Sequence, residues 1–198
     1  MAQIGLRDLF FAKVTSEDGQ PETYELPVRL AKAITVKLST TLAEAILYAD
    51  DGVDDISKEF VSCEMEINCN DISDEHEALL LGQRVDENGV VHAAEGDSPP
   101  YVAIMFRAKK SRPANTYKYV CLYKGQFGIP DEDYQTKGGS VEYKTPTIKG
   151  VFIKRDKDGE WKANKTVGEE EAIAKAWFTK VYENGTTIET GGEEEEDI

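Results

Sequence analysis

Alternating apolar and polar positions predict that most of this chain folds as β-strands. The clearest run is VSCEMEINC at residues 61–69, in which every second residue is apolar. A period of two places one set of side chains in the core and the other set in water. We therefore expect the buried face of this strand to carry Val61, Cys63, Met65, Ile67 and Cys69.

Similar patterns predict strands on both sides of this run. Residues 3–41 contain the strand-like stretches IGLRDLFFAKV and TYELPVRLAKAITVKLSTT, with Asp18-Gly19 as a hairpin turn between them. Three later stretches, YVAIMFRAK, YKYVCLYKG and TPTIKGVFIKR, have the same character, and the last returns through Asp158-Gly159 into EWKANKTV. The core is expected to be mainly β.

A short helix is predicted directly after the run at 61–69. In SDEHEALLLG, Ser73 is a typical N-cap, acidic residues fill the first turn, where the helix dipole favours them, and Gly82 ends the helix. The next segment predicts a hairpin around Glu87-Asn88-Gly89.

A second helix is predicted at about 168–183. Thr166 and Glu169 have the spacing of a capping box, and apolar residues recur with helical period downstream. Trp177 lies in this apolar stripe, which favours a packing role over a ligand-stacking one.

Residues 42–59, LAEAILYADDGVDDISKE, are acidic and broken by glycine at their centre, and we interpret them as a long loop. At 198 residues the chain supports one substantial core. We expect a single domain over residues 1–190 and a disordered acidic tail, GGEEEEDI, at 191–198.

The loop contains a motif that deserves a test, because Tyr48-Ala49-Asp50-Asp51 spells the metal-binding turn of many template-copying polymerases. That turn needs a strand on each side and a third carboxylate nearby to hold two metal ions. The sequence after Asp51 predicts no second strand, and we expect no catalysis. Asp54 and Asp55 extend the acidic cluster, but the spacing is not that of a helix-loop-helix calcium site. A solvated acidic loop is favoured over a weak ion site.

Other signals of enzymes and cofactors are missing from the sequence. His76 and His92 have no histidine partner at metal-ligand spacing, and no nucleophile elbow, phosphate-binding glycine loop or Cys-x-x-Cys occurs. Cys63 and Cys69 would lie about 20 Å apart along one strand, beyond disulfide reach. We predict a protein that is not an enzyme, has no metal or cofactor, and keeps its cysteines reduced.

The charge is strongly acidic and unevenly distributed. The net charge is −15, yet residues 101–165 contain 14 Lys and Arg against 7 Asp and Glu. So acidic a chain is a poor candidate for binding nucleic acid. Either the basic and acidic strands neighbour each other within the fold, or oppositely charged faces meet between copies. The chain has no apolar run long enough for a membrane span and no secretory signal at its N-terminus, which predicts a cytoplasmic site of synthesis.

Several stretches resemble a known family. The segments IGLRDLFFAKV, LYADDG, YVAIMFRAKK and YKYVCLYKGQFGIPDEDYQTKGGSVEYKTPTIKGVFIKRDKDGEWKA are similar to the major tail proteins of long-tailed bacteriophages and prophages, specifically the phi13-type family. The resemblance covers about residues 3–183. It implies a tail-tube fold of two packed antiparallel sheets, arranged as a sandwich or barrel, with a flanking helix.

The resemblance also implies a function in the virion tail after assembly in the host cytoplasm. Members form hexameric rings that stack into the tube through which the genome leaves. Partners would be further copies of the chain and the tape-measure, initiator and terminator proteins, with DNA passing an acidic lumen without specific binding. An early loop reaches a neighbouring copy, and its candidate residues here are Ile46, Leu47, Tyr48, Asp50, Asp51, Asp54 and Asp55. The alternative is an acidic, non-enzymatic β-sandwich binding module, with or without dependence on calcium.

Overall fold

The computed structural model of the protein describes residues 2–15, 20–132, 134–136 and 144–185. Strands dominate these residues, with two helices between them. The elements are β1 (Gln3–Thr15), β2 (Thr23–Tyr24), β3 (Val28–Ala31), β4 (Ala33–Ala49), β5 (Gly52–Cys69), α1 (Asp74–Leu81), β6 (Arg84–Val85), β7 (Val91–His92), β8 (Val102–Lys110), β9 (Thr116–Phe127), β10 (Thr147–Ile153), β11 (Lys162–Gly168) and α2 (Ala172–Ala176). The fold is therefore mainly β with two helices.

The large antiparallel sheet closes on itself. Its strands follow the order β1, β8, β9, β10, β5, β4, and β3 pairs with β1. Only Lys32 separates β3 from β4, which pairs with β5. The chain therefore connects the two ends of the sheet and completes a barrel. Its interior holds a buried apolar core of Leu9, Phe11, Leu30, Cys63, Met65, Ile67, Cys69, Ile72, Leu80, Val102, Ile104, Phe106, Val120, Leu122, Phe127, Ile148 and Phe152.

A second layer covers the outer side of β8 and β9. Along β8, Ile104 faces the barrel interior whereas Met105 faces outward into a second apolar cluster. β11 pairs with the first part of β9, and the segment around α2 packs on the cluster with Trp177, which is buried. The packing role predicted for Trp177 is confirmed. These two layers give the protein its sandwich-like cross-section.

Helix α1 closes one end of the barrel, where β5 ends. Ser73 is its N-cap, as predicted, and its hydroxyl accepts a hydrogen bond from the backbone N–H of His76 at 3.4 Å. Gly82 has a φ of 70° and lies against the backbone of Ser98, where a Cβ atom would approach the carbonyl oxygen to 2.1 Å. Glycine is therefore required at this helix end.

The predicted strands and their alternation are largely confirmed, with one exception. Cys63, Met65, Ile67 and Cys69 are buried, but Val61 is half exposed. The pairing shifts by one residue here, because Thr41 opposes Ser62 and Leu42 opposes Phe60. Val61 is the extra residue of this bulge, so its side chain leaves the core face.

Two predictions about secondary structure are wrong. Residues 42–59 are not a loop, since they form the distal halves of β4 and β5 in an antiparallel hairpin. The second helix is shorter than expected and begins later: Thr166 belongs to β11, and the N-cap of α2 is Glu171. Thr166, which the capping pattern assigned to the start of the helix, instead pairs with β9 as part of β11.

The hairpin around Glu87-Asn88-Gly89 is confirmed as the small sheet of β6 and β7, with Gly89 at a φ of 81°. The turn at Asp158-Gly159 is confirmed between β10 and β11, with Gly159 at a φ of 73°. The turn predicted at Asp18-Gly19 and the acidic tail at 191–198 lie outside the described residues. The three cysteines are free thiols, as predicted.

Candidate assembly site

The main candidate site is the distal half of the β4–β5 hairpin, which we call the arm and define as residues 42–60. Its strands pair continuously from Leu42 opposite Phe60 to Ala49 opposite Gly52. Eight residues of β-strand extend about 25 Å at about 3.3 Å per residue. Beyond the barrel the two strands pair with each other, and most of their side chains are exposed.

The motif Tyr48-Ala49-Asp50-Asp51 lies at the tip of the arm. Asp50 and Asp51 form the two-residue turn, and both have positive φ angles, 46° and 61°. Two central residues with positive φ match the twist of a hairpin, as in a type I′ turn. Aspartate tolerates this backbone better than most residues, because its short polar side chain can bond locally.

This geometry corrects one step of the sequence argument, since a second strand does follow the turn. The described part of the arm nevertheless lacks a third strand to supply another carboxylate. Among the described residues, no group of three or more His, Cys, Asp and Glu side chains could hold a metal ion. The side chain of Asp55 accepts a hydrogen bond from the backbone N–H of Ile56 at 2.8 Å. Asp54 is the extra residue of a bulge, because Leu47 lies opposite Asp55 whereas Tyr48 lies opposite Val53.

The arm has two chemically different faces. Cross-strand partners share a face, and alternate residues along one strand do as well. One side, the apolar face of the arm, carries exposed apolar residues around a single ion pair, Glu44 with Lys58 at 3.2 Å. Its apolar members, each at least 42% exposed, are Leu42, Ile46, Tyr48, Val53 and Ile56.

The opposite face of the arm carries mainly small and acidic side chains. Leu47 lies on this face, paired with Asp55, and its neighbours are alanine and serine side chains. Ile46 and Tyr48 therefore share a surface with each other but not with Leu47. The sequence argument selected these three as one anchor and missed Leu42, Val53 and Ile56, because the bulge at Asp54 and the polar pair of Glu44 and Lys58 interrupt the alternation.

The apolar face of the arm continues the barrel core. At the base of the arm, Phe60 stacks on Trp161, with ring centroids 4.5 Å apart and planes inclined by 11°. Phe60, Trp161 and Leu38 all pack against the barrel core. The inner surface of the barrel thus extends onto a projecting ribbon that nothing in the described chain covers.

An isolated two-stranded ribbon is only marginally stable in water, and contiguous exposed apolar surface usually marks a contact with another molecule. Burying a fully exposed aliphatic side chain contributes about 1.5–3 kcal/mol. The five apolar residues of this face are already half covered, so each would contribute less. Together they are still sufficient to anchor a partner.

The two histidines contact neighbouring parts of the fold. The ring of His76 lies edge-on to Phe11, with centroids 5.4 Å apart, and its Nδ1 is 3.3 Å from the carbonyl oxygen of Leu30. His92 lies 3.1 Å from Asp86 within the β6–β7 hairpin. Both histidines therefore join neighbouring segments of the fold.

An ion cluster around one buried arginine lies beside the second layer and holds the β10–β11 turn. The side chain of Arg155 is fully buried, stacks on the ring of Tyr123 at 3.7 Å and bonds Asp158 and Glu160 in the turn. It also reaches Glu183, which follows α2. Each of these charges has a partner of opposite sign, so the cluster stabilises the fold.

A second ion pair connects the β1–β2 region to the same turn. Glu22 is buried, and its carboxylate accepts hydrogen bonds from Lys124 Nζ at 2.9 Å and from the backbone N–H of Asp156 at 2.9 Å. Burial by itself would raise the pKa of Glu22, but these bonds to the ionised form lower it to about 2.

Comparison with known proteins assigns no family. No family model matches the chain, and no curated protein matches it. No helix among the described residues has the length and apolarity needed to span a bilayer.

Proposed function

We propose that this protein is a structural subunit that assembles with copies of itself into stacked hexameric rings, forming the tail tube of a long-tailed phage or prophage. The observation that carries the proposal is the arm, a projecting ribbon whose apolar face is uncovered in the single chain. The resemblance of the segments quoted above to phage major tail proteins supports it.

The arm supports self-assembly because of its reach and its chemistry. A ribbon about 25 Å long extends far enough to cross onto a neighbouring subunit. Its large apolar side chains other than Leu47 are exposed on one face, so we expect a partner to cover that side. We expect the arm to exchange its amide protons rapidly in the free subunit and slowly in the tube, where the neighbour covers it.

The outward face of the barrel supports passage of DNA without retention. Along β5, Glu64 and Glu66 point away from the core, and Glu66 lies in register with Lys37 on β4 and Lys149 on β10. Asp55 and Glu59 add negative charge where this face continues onto the arm. These four carboxylates outnumber the two lysines, so the face is net negative. A net negative surface retains few phosphates, and a polyanion can slide past it.

In this proposal the protein acts in the virion tail, after assembly in the host cytoplasm. Its partners are further copies of the chain together with the tape-measure, initiator and terminator proteins. It performs no chemistry and needs no cofactor.

Electron microscopy of the concentrated purified protein tests the proposal, and hollow tubes or rings are the expected result. Ile46→Asp places a charge on the apolar face of the arm and should abolish these assemblies. Ala45→Asp is the matched control, since it adds the same charge one residue away on the opposite face, and it should still assemble.

Thermal unfolding of both variants as single subunits checks that the arm substitutions leave the barrel intact. Equal assembly by the two variants would contradict a role for the apolar face. Wild-type protein that stays monomeric at every concentration, with arm amides that exchange as slowly as those of the barrel, would contradict the proposed function.

A further inference from the structure

The two ends of the barrel carry opposite charge. β8 runs from Val102 at one end to Lys110 at the other, and its nine residues separate the ends by about 30 Å at about 3.3 Å per residue. α1 and the segment after β9 lie at the first end. The start of β1 and the β8–β9 connection lie at the second, where Gln3 pairs with Lys110.

The first end is acidic. A surface cleft of about 530 Å³ lies between α1 and a segment that includes residues 130–132 and Tyr134, and carboxylates dominate the charged part of its lining. Burial raises the pKa of Glu77, and the neighbouring carboxylates of Glu132 and Asp74 raise it further, as expected where like charges crowd together. The acidic side chains that line the cleft are Asp71, Asp74, Glu77, Asp131 and Glu132.

Apolar groups accompany the acidic cleft. Ile129 is 80% exposed and Tyr134 is 87% exposed, and the hydroxyl of Tyr134 donates a hydrogen bond to Glu132. Exposed aromatic side chains next to charged groups are frequent anchors of protein interfaces. The acidic end therefore offers both contact area and charge.

The second end is basic. Residues 109–118 contain four Lys and Arg and no Asp or Glu. None of these four cations forms an ion pair with a described residue. In contrast, Arg107, which faces the second layer from β8, is paired with Asp8 at 2.5 Å and with Glu169 at 2.8 Å. Glu169, Glu170 and Glu171 follow β11 at the same end, where the backbone N–H of Glu169 bonds the carbonyl oxygen of Asn115 at 2.9 Å. Glu169 is paired with Arg107 and Glu170 with Lys175, so the four unpaired cations leave this end with a net positive charge, as the acidic cleft presents negative charge.

From this complementarity we infer that copies of the chain join head to tail, with the basic β8–β9 end of one copy on the acidic cleft of the next. A contact between two different surfaces of the same chain is heterologous, and such contacts extend into open filaments when they do not close. Opposite charges align the two ends, and like charges reject the reversed orientation. The inference rests on the proposed tube and assigns the surfaces that stack one ring on another.

Cysteine cross-linking detects this contact without requiring a complete tube. Ser111→Cys and Gln135→Cys place exposed thiols at the two ends and remove no charge, while the three native cysteines are buried. With a short bismaleimide, the double variant should give a ladder of dimers, trimers and larger species on a denaturing gel. Each single variant should remain monomeric, and an equal mixture of the two single variants should stop at dimers.

Charge reversal in the double-cysteine background tests the electrostatic argument. Lys110→Glu with Arg112→Glu should reduce the ladder about tenfold. Adding Asp74→Lys with Glu132→Lys reverses the other end too and should restore the ladder, a result that misfolding cannot produce. Lys154→Glu with Lys180→Glu changes the net charge by the same amount at exposed positions outside both ends and should leave the ladder unchanged.

The outcomes separate this inference from the proposed function. Dimers from a single-cysteine variant would show a symmetric contact and overturn the inference. Tubes from the wild-type protein without a ladder from the double variant would overturn the inference and leave the proposed function standing. Loss of both tubes and ladder would overturn both.

Discussion

Phe60 and Trp161 stack with their ring centroids 4.5 Å apart and their planes inclined by 11°, at the point where the arm leaves the barrel. Phe60 belongs to β5, and Trp161 immediately precedes β11, so the contact joins the base of the arm to the strand that pairs with β9. Trp161 also has the ammonium of Lys162 at 5.4 Å from its ring. The pair fixes the direction in which the arm departs, because the strands beyond it are held only by each other.

Substitution of Phe60 should therefore loosen the base of the arm. Phe60→Ala removes the stacked ring and should lower the free energy of unfolding by about 2 kcal/mol, less than for a fully buried phenylalanine because Phe60 is half buried. Chemical denaturation measures this loss, and Trp161 emission should shift to the red as the indole gains water. Tyr48→Ala, at the exposed tip, is the control and should change neither quantity. An unchanged emission spectrum in Phe60→Ala would contradict the proposed contact.

Two substitutions should stabilise the turn at the tip of the arm. Asp50 and Asp51 both have positive φ, a backbone that Asn-Gly adopts at lower cost. Asp50→Asn with Asp51→Gly should stabilise the turn by about 0.5 kcal/mol and slow amide exchange near the tip. Asp50→Ala with Asp51→Ala removes the same two charges and should destabilise the turn. If both variants shifted stability in the same direction, charge rather than backbone conformation would control the turn.

These two variants also test the polymerase-like motif. We expect no metal-dependent nucleotide chemistry from the wild-type protein, and we expect the Asn-Gly variant to assemble normally. A nucleotide-processing activity present in the wild type and lost in both variants would reverse the interpretation of the tip.

Arg155 should be among the most sensitive positions of the fold. Its side chain is fully buried and pairs with Asp158 at 2.5 Å and with Glu160 at 3.1 Å. Arg155→Ala removes these bonds and the stacked guanidinium, and because the carboxylates are 28% and 40% exposed, the loss of stability should be about 1.5–3 kcal/mol. Lys157→Ala is the control, since Lys157 bonds Glu183 from an exposed position and should contribute less than about 1 kcal/mol. Equal losses of thermal stability in the two variants would contradict this ranking.

Glu22 should contribute to acid sensitivity. Its pKa in the folded protein is about 2, below the ordinary value of 4.5, so the ionised form is bound more tightly in the folded state than in the unfolded state. The resulting stabilisation is fully present above about pH 4.5 and is lost as the pH falls towards 2. The stability difference between the wild type and Glu22→Gln should therefore shrink over this window in denaturation experiments. Glu25→Gln, at an exposed neighbouring site, should show no such convergence.

Local sequence signals correctly predicted the elements that are stabilised by contacts between residues close together in the chain. The cap of α1 at Ser73 and the αL glycine at Gly82 follow from backbone groups within a few residues, so local sequence is sufficient to identify them. The predicted start of the second helix was wrong for the opposite reason. Thr166 lies opposite Lys118 in the pairing of β11 with β9, and that distant partner outweighs a capping pattern.

The sequence singled out the segment that forms the arm, but not the shape of that segment. The motif at Tyr48 to Asp51 marks the tip of the arm. The bulges at Val61 and Asp54 each shift the strand pairing by one residue. A strict alternation of faces that ignores these bulges therefore assigns the side chains beyond them to the wrong face. Leu47 was therefore grouped with Ile46 and Tyr48, although it lies on the other side of the arm.

The sequence by itself determined the β-rich character of the chain, the apolar alternation of its strands, the caps of α1, the burial of Trp177 and the free state of the cysteines. Each of these depends on side-chain period or on contacts close along the chain. Only the tertiary structure decided that β3 and β4 close the sheet into a barrel, that residues 42–59 pair into an arm, and that basic and acidic segments lie at opposite ends. Strand pairing joins residues far apart in sequence, and their register sets which side chains share a face and at which end each charge lies.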